Sequence, residues 1–170
     1  GLKPQDVDGL REAVRAAGNF EKVAPRVAQQ VESALHPEFA AIWMRRPGES
    51  AFSIVNGGDS RVAPIAAGGR LMVLVRTMAK PVEIPPDETG WPWRQLPREE
   101  SDFLRKSRIE WLFPICIGEG NAEALLALGP KRSESPYAQE DQALLQGITS
   151  SLALLLERKP SVVSDSGRLK

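Results

Sequence analysis

At 170 residues and 42% apolar composition, the chain fits one domain with enough apolar content to bury a core. Its 22 Lys and Arg balance 22 Asp and Glu, which argues against a dedicated nucleic-acid binder with its usual basic excess and against docking on an anionic membrane surface. A single cysteine, Cys116, excludes an intramolecular disulfide.

No apolar run reaches the roughly 18–20 residues of a spanning helix, and nothing resembles a signal peptide. The expectation is a cytoplasmic segment. The chain begins with Gly1 rather than methionine and reads as a piece of a longer protein. Near-zero net charge also favours self-association.

Residues 1–18 carry a weak helical pattern of Val7, Leu10, Val14 and Ala17, interrupted by Gly18. Two readings stand side by side: a lead-in helix packing on a second subunit, or a frayed arm. From Phe20 the pattern is strong. Phe20, Val23, Ala24, Val27, Ala28, Val31, Ala34 and Leu35 share one face, with Asn19 as N-cap. Pro25 lies inside this pattern, and His36-Pro37 ends it.

The apolar run Phe39 to Met44 reads as a strand buried on both faces. Arg45-Arg46-Pro47-Gly48 turns the chain into a second strand, Ala51 to Val55, closed by Asn56-Gly57-Gly58. A Gly- and Ala-rich loop follows to Gly69. Leu71, Leu74, Val75 and Met78 then predict a short helix over 70–79, stopped by Pro81. Val82 to Ile84 fits a brief edge strand.

Residues 85–97, PPDETGWPWRQLP, hold four prolines and a glycine and predict irregular structure. Pro97 opens a short helix with Glu99, Glu100 and Asp102 near its N-terminus. Phe103 and Leu104 are its apolar contacts. Ile109, Trp111, Phe113, Ile115 and Ile117 alternate strictly, the clearest strand signal in the chain. Gly118 to Asn121 turns it into Ala124 to Leu128, and Gly129-Pro130 ends the sheet. A last helix is expected from Ser135 to about Arg158, with a stripe of Tyr137, Leu144, Leu145, Ile148, Leu152, Leu155 and Leu156. The polar tail 159–170 reads as disordered.

Catalytic chemistry is hard to place. The only histidine, His36, sits at a helix end with no nucleophile in sequence context, and one Cys with one His cannot supply a zinc site. Neither a phosphate-binding GxxxxGK[ST] loop nor GxGxxG after a strand occurs. Cys116 reads as a small core hydrophobe rather than a redox or attachment site. The segment is therefore expected not to be an enzyme.

The order helix, hairpin, helix, irregular loop, short helix, hairpin, helix resembles that of a GAF domain over about residues 20–157. The most specific segment is Leu125-Leu126-Ala127-Leu128-Gly129-Pro130-Lys131-Arg132-Ser133, then Pro136-Tyr137 and Glu140-Asp141 before Leu144-Leu145. The resemblance implies an α+β fold: a twisted antiparallel sheet with the terminal helices on one face and the short helices and loop on the other. The expected division is a lead-in at 1–18, the GAF domain at 19–158 and a tail or linker at 159–170. A departure is Ala138, where members often have a capping Ser or Thr; Ser135 before Pro136 offers a replacement cap. A PAS domain is the runner-up, ranked lower because only one clear hairpin follows the middle helices.

What the resemblance implies for function is a regulatory module. It would sense a small molecule, dimerise, or both, and relay the result to an attached output domain such as a kinase, phosphatase, cyclase or transcription regulator. No metal, haem or bilin attachment is expected, since the chromophore cysteine of bilin-binding members is missing. Methionine sulfoxide-reducing members need several cysteines, and this chain has one. A ligand pocket in this fold lies between the sheet and the middle segment. Its candidates are Trp91, Trp93, Arg94, Phe103, Trp111 and Phe113, with the tryptophans as a lid and Arg94 pairing an anionic group. The alternative is that both tryptophans pack the loop onto the sheet and leave no cavity. Ala143, Gly147, Ser150 and Leu154 form a second seam on the last helix. That seam either meets the same helix of a second subunit in a homodimer or packs on the chain's own first helix.

Overall fold

The computed structural model describes residues 19–56, 63–86, 90, 92–118 and 122–157. The expected lead-in at 1–18 and tail at 159–170 lie outside these residues, as does Trp91. Helix α1 spans Phe20–Leu35. Asn19 caps it: its Oδ1 accepts from the backbone N–H of Glu21 at 2.8 Å and of Lys22 at 3.2 Å, satisfying donors that have no partner within the helix. Pro25 costs α1 one backbone hydrogen bond but sits on its solvent side, where water reaches the freed carbonyl. His36 closes the helix in the left-handed conformation, φ 54°, donating its N–H to Glu32 O at 3.0 Å.

Strands β1 (Ala40–Met44), β2 (Ala51–Ile54), β3 (Ile65–Ala66), β4 (Val82–Glu83), β5 (Trp111–Cys116) and β6 (Ala122–Leu128) form one sheet in the order β3-β2-β1-β6-β5-β4. Every pairing is antiparallel. Strands β1 and β6 lie at its centre, in register Ile42 with Leu126. All of β1 is buried, as a strand covered on both faces must be. Between β3 and β4 in sequence lies helix α2, Arg70–Met78; after β4 come a single 3-10 turn at Trp93–Gln95 and helix α3, Arg98–Ser107. Helix α4, Gln139–Glu157, follows β6.

Alternation along the strands sorts the core into two layers. On one face Ile42, Phe113, Ile115, Leu126 and Leu128 pack against the buried stripes of α1 and α4. On the other, Trp43, Phe52, Leu112, Leu125 and Ala127 pack against α2, α3 and the loop before it. This is the expected α+β arrangement, with terminal helices on one face and short helices on the other. Each fully buried Leu or Ile contributes roughly 1.5–3 kcal/mol, so both faces draw the sheet into the core.

Three local devices hold the sheet. Strand β2 stops at Ile54, and Asn56 then takes over the next pairing position against β1. Its Oδ1 accepts from Ile42 N at 2.8 Å and its Nδ2 donates to Ala40 O at 2.9 Å. Pro114 stands inside β5 without breaking a ladder. Ile84 N donates to Glu110 O at 2.9 Å while Glu110 N turns to Leu128 O of β6 at 2.7 Å, an irregular start after which positions 112 and 114 point their backbone groups toward β4. Because β4 begins at Val82, no strand stands opposite Pro114 to miss its N–H. Gly129 lets β6 leave the sheet under Phe39: a Cβ there would lie 2.6 Å from the Phe39 ring.

The structure corrects the sequence reading at three points. Residues 65–66 form an edge strand where a loop was expected, because two residues carry no readable periodicity. The proline-rich segment contains the 3-10 turn, closed by Trp93 N to Gly90 O at 2.8 Å and Leu96 N to Trp93 O at 3.1 Å. Helix α4 begins at Gln139, not Ser135. Asp141, buried in its first turn, reaches back to accept from Ala138 N at 2.9 Å. That is the N3 half of a capping box, and it works without a Ser or Thr at the cap. Ser135 instead pairs with the Ser133 hydroxyl at 3.1 Å.

Candidate functional site

The middle layer was the expected ligand site, and the structure divides its candidate residues. Trp93 is 7% exposed and belongs to the layer of Leu96, Leu104 and Leu112, with Phe103 partly buried against it. Arg94, next in the 3-10 turn, is exposed, and its side chain makes no hydrogen bond or ion pair among the described residues. Trp111 and Phe113 are not part of this layer. They lie on the opposite face of the sheet, with ring centroids 5.7 Å apart, in the core shared with α1 and α4. A single pocket walled by Trp93, Phe103, Trp111 and Phe113 is therefore excluded, because the sheet stands between the two pairs. The misassignment has a simple origin: alternation separates odd from even positions of β5 but does not say which helices each set meets.

Two further contacts fix this layer. The Trp43 indole N–H donates to Ala63 O at 3.1 Å, so a fully buried tryptophan keeps its donor satisfied. Glu100 of α3 caps α2: its Oε1 accepts from Leu71 N at 2.9 Å. The N-cap of α2 is Gly69, which has no side chain to offer. A Cβ at Gly69 would collide with the Glu100 carboxylate, so the glycine makes room for a cap supplied from 29 residues away. The sequence had placed Glu100 only in the first turn of its own helix. No local signal distinguishes the two uses.

The outward face of α4 carries the second set of candidates. Ala143, Gly147, Ser150 and Leu154 are all exposed, and Leu154 is 57% exposed. Space beside Gly147 is open. Helix α1 shares the core that buries Leu145, Ile148 and Leu152 of α4, and the seam residues stay exposed, so α1 does not cover them. Lys131 anchors the start of α4. Its Nζ donates to Asp141 Oδ2 at 2.7 Å and lies 5.3 Å from the Tyr137 ring centroid. The Tyr137 hydroxyl donates to Gly129 O at 2.6 Å. Burial foremost, with the neighbouring charges of Glu110, Asp141 and Glu38, pushes the Tyr137 phenol far above its ordinary value. This cluster ties the end of β6 to the N-terminus of α4.

Cys116 is partly buried, and burial raises its thiol, which lowers the thiolate fraction that reactivity requires. Among the described residues, no group of three or more His, Cys, Asp or Glu is placed to hold a metal ion, and no helix is long and apolar enough to cross a membrane.

No protein-family model matches the sequence, and no curated protein matches it. Solved structures do. The GAF domain of a phosphoenolpyruvate-protein phosphotransferase from Coxiella burnetii is similar, with a TM-score of 0.68 at 15% identity over 94% of this chain and 95% of that one. A segment of a methyl-accepting chemotaxis protein gives a TM-score of 0.68 at 15% identity, over 90% of this chain and 98% of that one. Free methionine-R-sulfoxide reductase from Neisseria meningitidis gives 0.65 at 10% identity, over 92% and 93%. The sheet order, the two-layer core and these likenesses agree: the chain has the fold of a GAF domain.

Proposed function

We propose that this chain is a regulatory module that dimerises through α4 and passes conformational change in its sheet to an attached output domain. The observation that carries the reading is the seam on α4. One face of the helix is buried in the domain's own core, while Ala143, Gly147, Ser150 and the large apolar Leu154 stand exposed on the other. Small residues allow close helix approach, and two copies of one helix give a self-complementary contact. Because α4 starts on the Lys131–Asp141–Tyr137 cluster, a shift at the sheet's centre alters its packing. Such a relay needs only two helix arrangements of differing stability. The attached domain would be a kinase, phosphatase, cyclase or transcription regulator, and the chain would work in the cytoplasm without nucleic acid or membrane contact.

Small-molecule sensing at the middle layer is the second half of the reading, supported by exposed Arg94 beside Trp93. Its competitor, a ligand-free dimerisation module, draws on the packed state of Trp93. Both predict the same dimer. Lack of a nucleophile–base pair in the sequence supports a non-catalytic role. Sedimentation equilibrium tests the dimer. Wild type should associate at micromolar concentration, and Leu154→Glu should be monomeric with unchanged far-UV circular dichroism. A wild type that stays monomeric at high concentration overturns the reading.

A further inference from the structure

Strand β4 pairs with β5 over two residues only, Val82 with Leu112 and Glu83 with Trp111. Continuing that register would set Lys80 against Pro114, but Pro81 and Pro114 both lack an N–H, and the ladder stops. Where the two segments part, a groove of about 180 Å³ opens between Lys80-Pro81 and the Pro114 to Cys116 edge of β5. Gln146 and Ser150 of α4 belong to its third wall. The volume is below the roughly 300–1,000 Å³ of small-molecule sites and suits a single branched side chain.

The groove adjoins the exposed seam of α4, since Ser150 belongs to both. Four residues on, Leu154 is the most exposed large apolar side chain among the described residues. Glu157, three residues further, is exposed as well, and this spacing places it beside Leu154 on the helix surface. Groove and helix end are complementary. One is a recess walled by prolines with a cation at its rim, Lys80; the other is an apolar knob with a carboxylate next to it. Neither Lys80 nor Glu157 has an ion pair among the described residues. Leu154 does not line the groove of its own chain, so only a second copy can supply the knob.

We propose that the groove receives Leu154 of a second copy of this chain, with Glu157 of that copy pairing Lys80. The inference rests on the α4 dimer proposed above and fixes its direction. In a parallel two-fold pairing each Leu154 meets the other, and both grooves stay empty. In an antiparallel pairing centred on Ser150, Leu154 comes opposite Gln146 of the other copy, beside the groove. Gly147, with open space next to it, lets the helices approach closely. Two-fold symmetry makes the contact twice, knob into groove in each direction. Removal of both leucines from water drives it.

The test uses the full chain. Lys80→Glu and Glu157→Lys should each raise the dimer dissociation constant about fivefold or more, because symmetry counts every broken pair twice. The double variant Lys80→Glu/Glu157→Lys restores opposite charges and should return to within about twofold of wild type by sedimentation equilibrium. Separately, Leu154→Cys is oxidised with diamide at a concentration where wild type is dimeric. Non-reducing electrophoresis should show a covalent dimer, and peptide mass analysis should find the introduced thiol joined to Cys116. Adding Cys116→Ser should remove that bond. A wild-type dimer whose double charge variant stays as weak as the single ones overturns this contact and leaves the dimer standing. So does an oxidised Leu154→Cys protein that joins position 154 only to itself, or forms no bond to Cys116. A monomeric wild type removes both.

Discussion

Replacing Asp141 by alanine should loosen the junction between sheet and α4 by an amount the contacts allow to be estimated. The side chain of Asp141 is 4% exposed and serves two donors at once. Losing the bond from Ala138 N removes a helix cap, a cost of about 1 kcal/mol. Losing the bond from Lys131 Nζ strands a cation whose side chain is only 17% exposed. Removing one partner of a fully buried pair costs about 3–5 kcal/mol, but Lys131 has a flexible stem and a short path to water, so about 1–2 kcal/mol is expected here. The sum, about 2–3 kcal/mol, lowers the melting temperature of a chain this size by roughly 5–10 °C. Asp141→Asn keeps an acceptor for Ala138 N and should lose about half as much. Urea unfolding followed by circular dichroism measures both variants. A double-mutant cycle with Lys131→Met isolates the pair and should give a coupling of about 1 kcal/mol. If Asp141→Ala lies within about 0.5 kcal/mol of wild type, or the cycle is additive, Asp141 does not fix the start of α4.

Two further outcomes follow from the same geometry. Asn56→Ala strips partners from Ile42 N and Ala40 O at the sheet's centre and should destabilise by about 2–4 kcal/mol, since each buried group left unsatisfied costs about 1–3 kcal/mol; equilibrium unfolding reads the loss. Tyr137 is the only tyrosine, so absorbance near 295 nm reports it alone. Its phenol is raised in the folded state. The unfolded chain therefore loses this proton first as pH rises above about 10, and stability contributed by the protonated phenol declines from there upward. At pH 11 the folded protein should show no phenolate signal, and a phenolate appearing before unfolding would contradict the burial of Tyr137.

Much of the fold was legible in the sequence because helix and strand periods are local properties of the backbone. The stripe from Phe20 to Leu35, the Asn19 cap and the alternation Trp111, Phe113, Ile115 each follow from residues a few places apart. Proline and glycine placed the ends of most elements correctly. The four residues that the spacing puts on a second face of α4, Ala143, Gly147, Ser150 and Leu154, are exposed in the structure.

The sequence by itself determined which residues share a side of each element; only the tertiary structure decided what each side meets. Trp111 and Phe113 share one face of β5 by alternation, yet their partners proved to be α1 and α4 rather than the loop of Trp93. Glu100 looked like a first-turn acid of α3 and became the cap of α2. Helix α4 starts where Asp141 can reach back to Ala138 while held by Lys131, not at the serine that local preference favoured. In each case the period of the backbone is fixed by neighbours in sequence, while faces, caps and charge pairs are chosen by packing between distant segments.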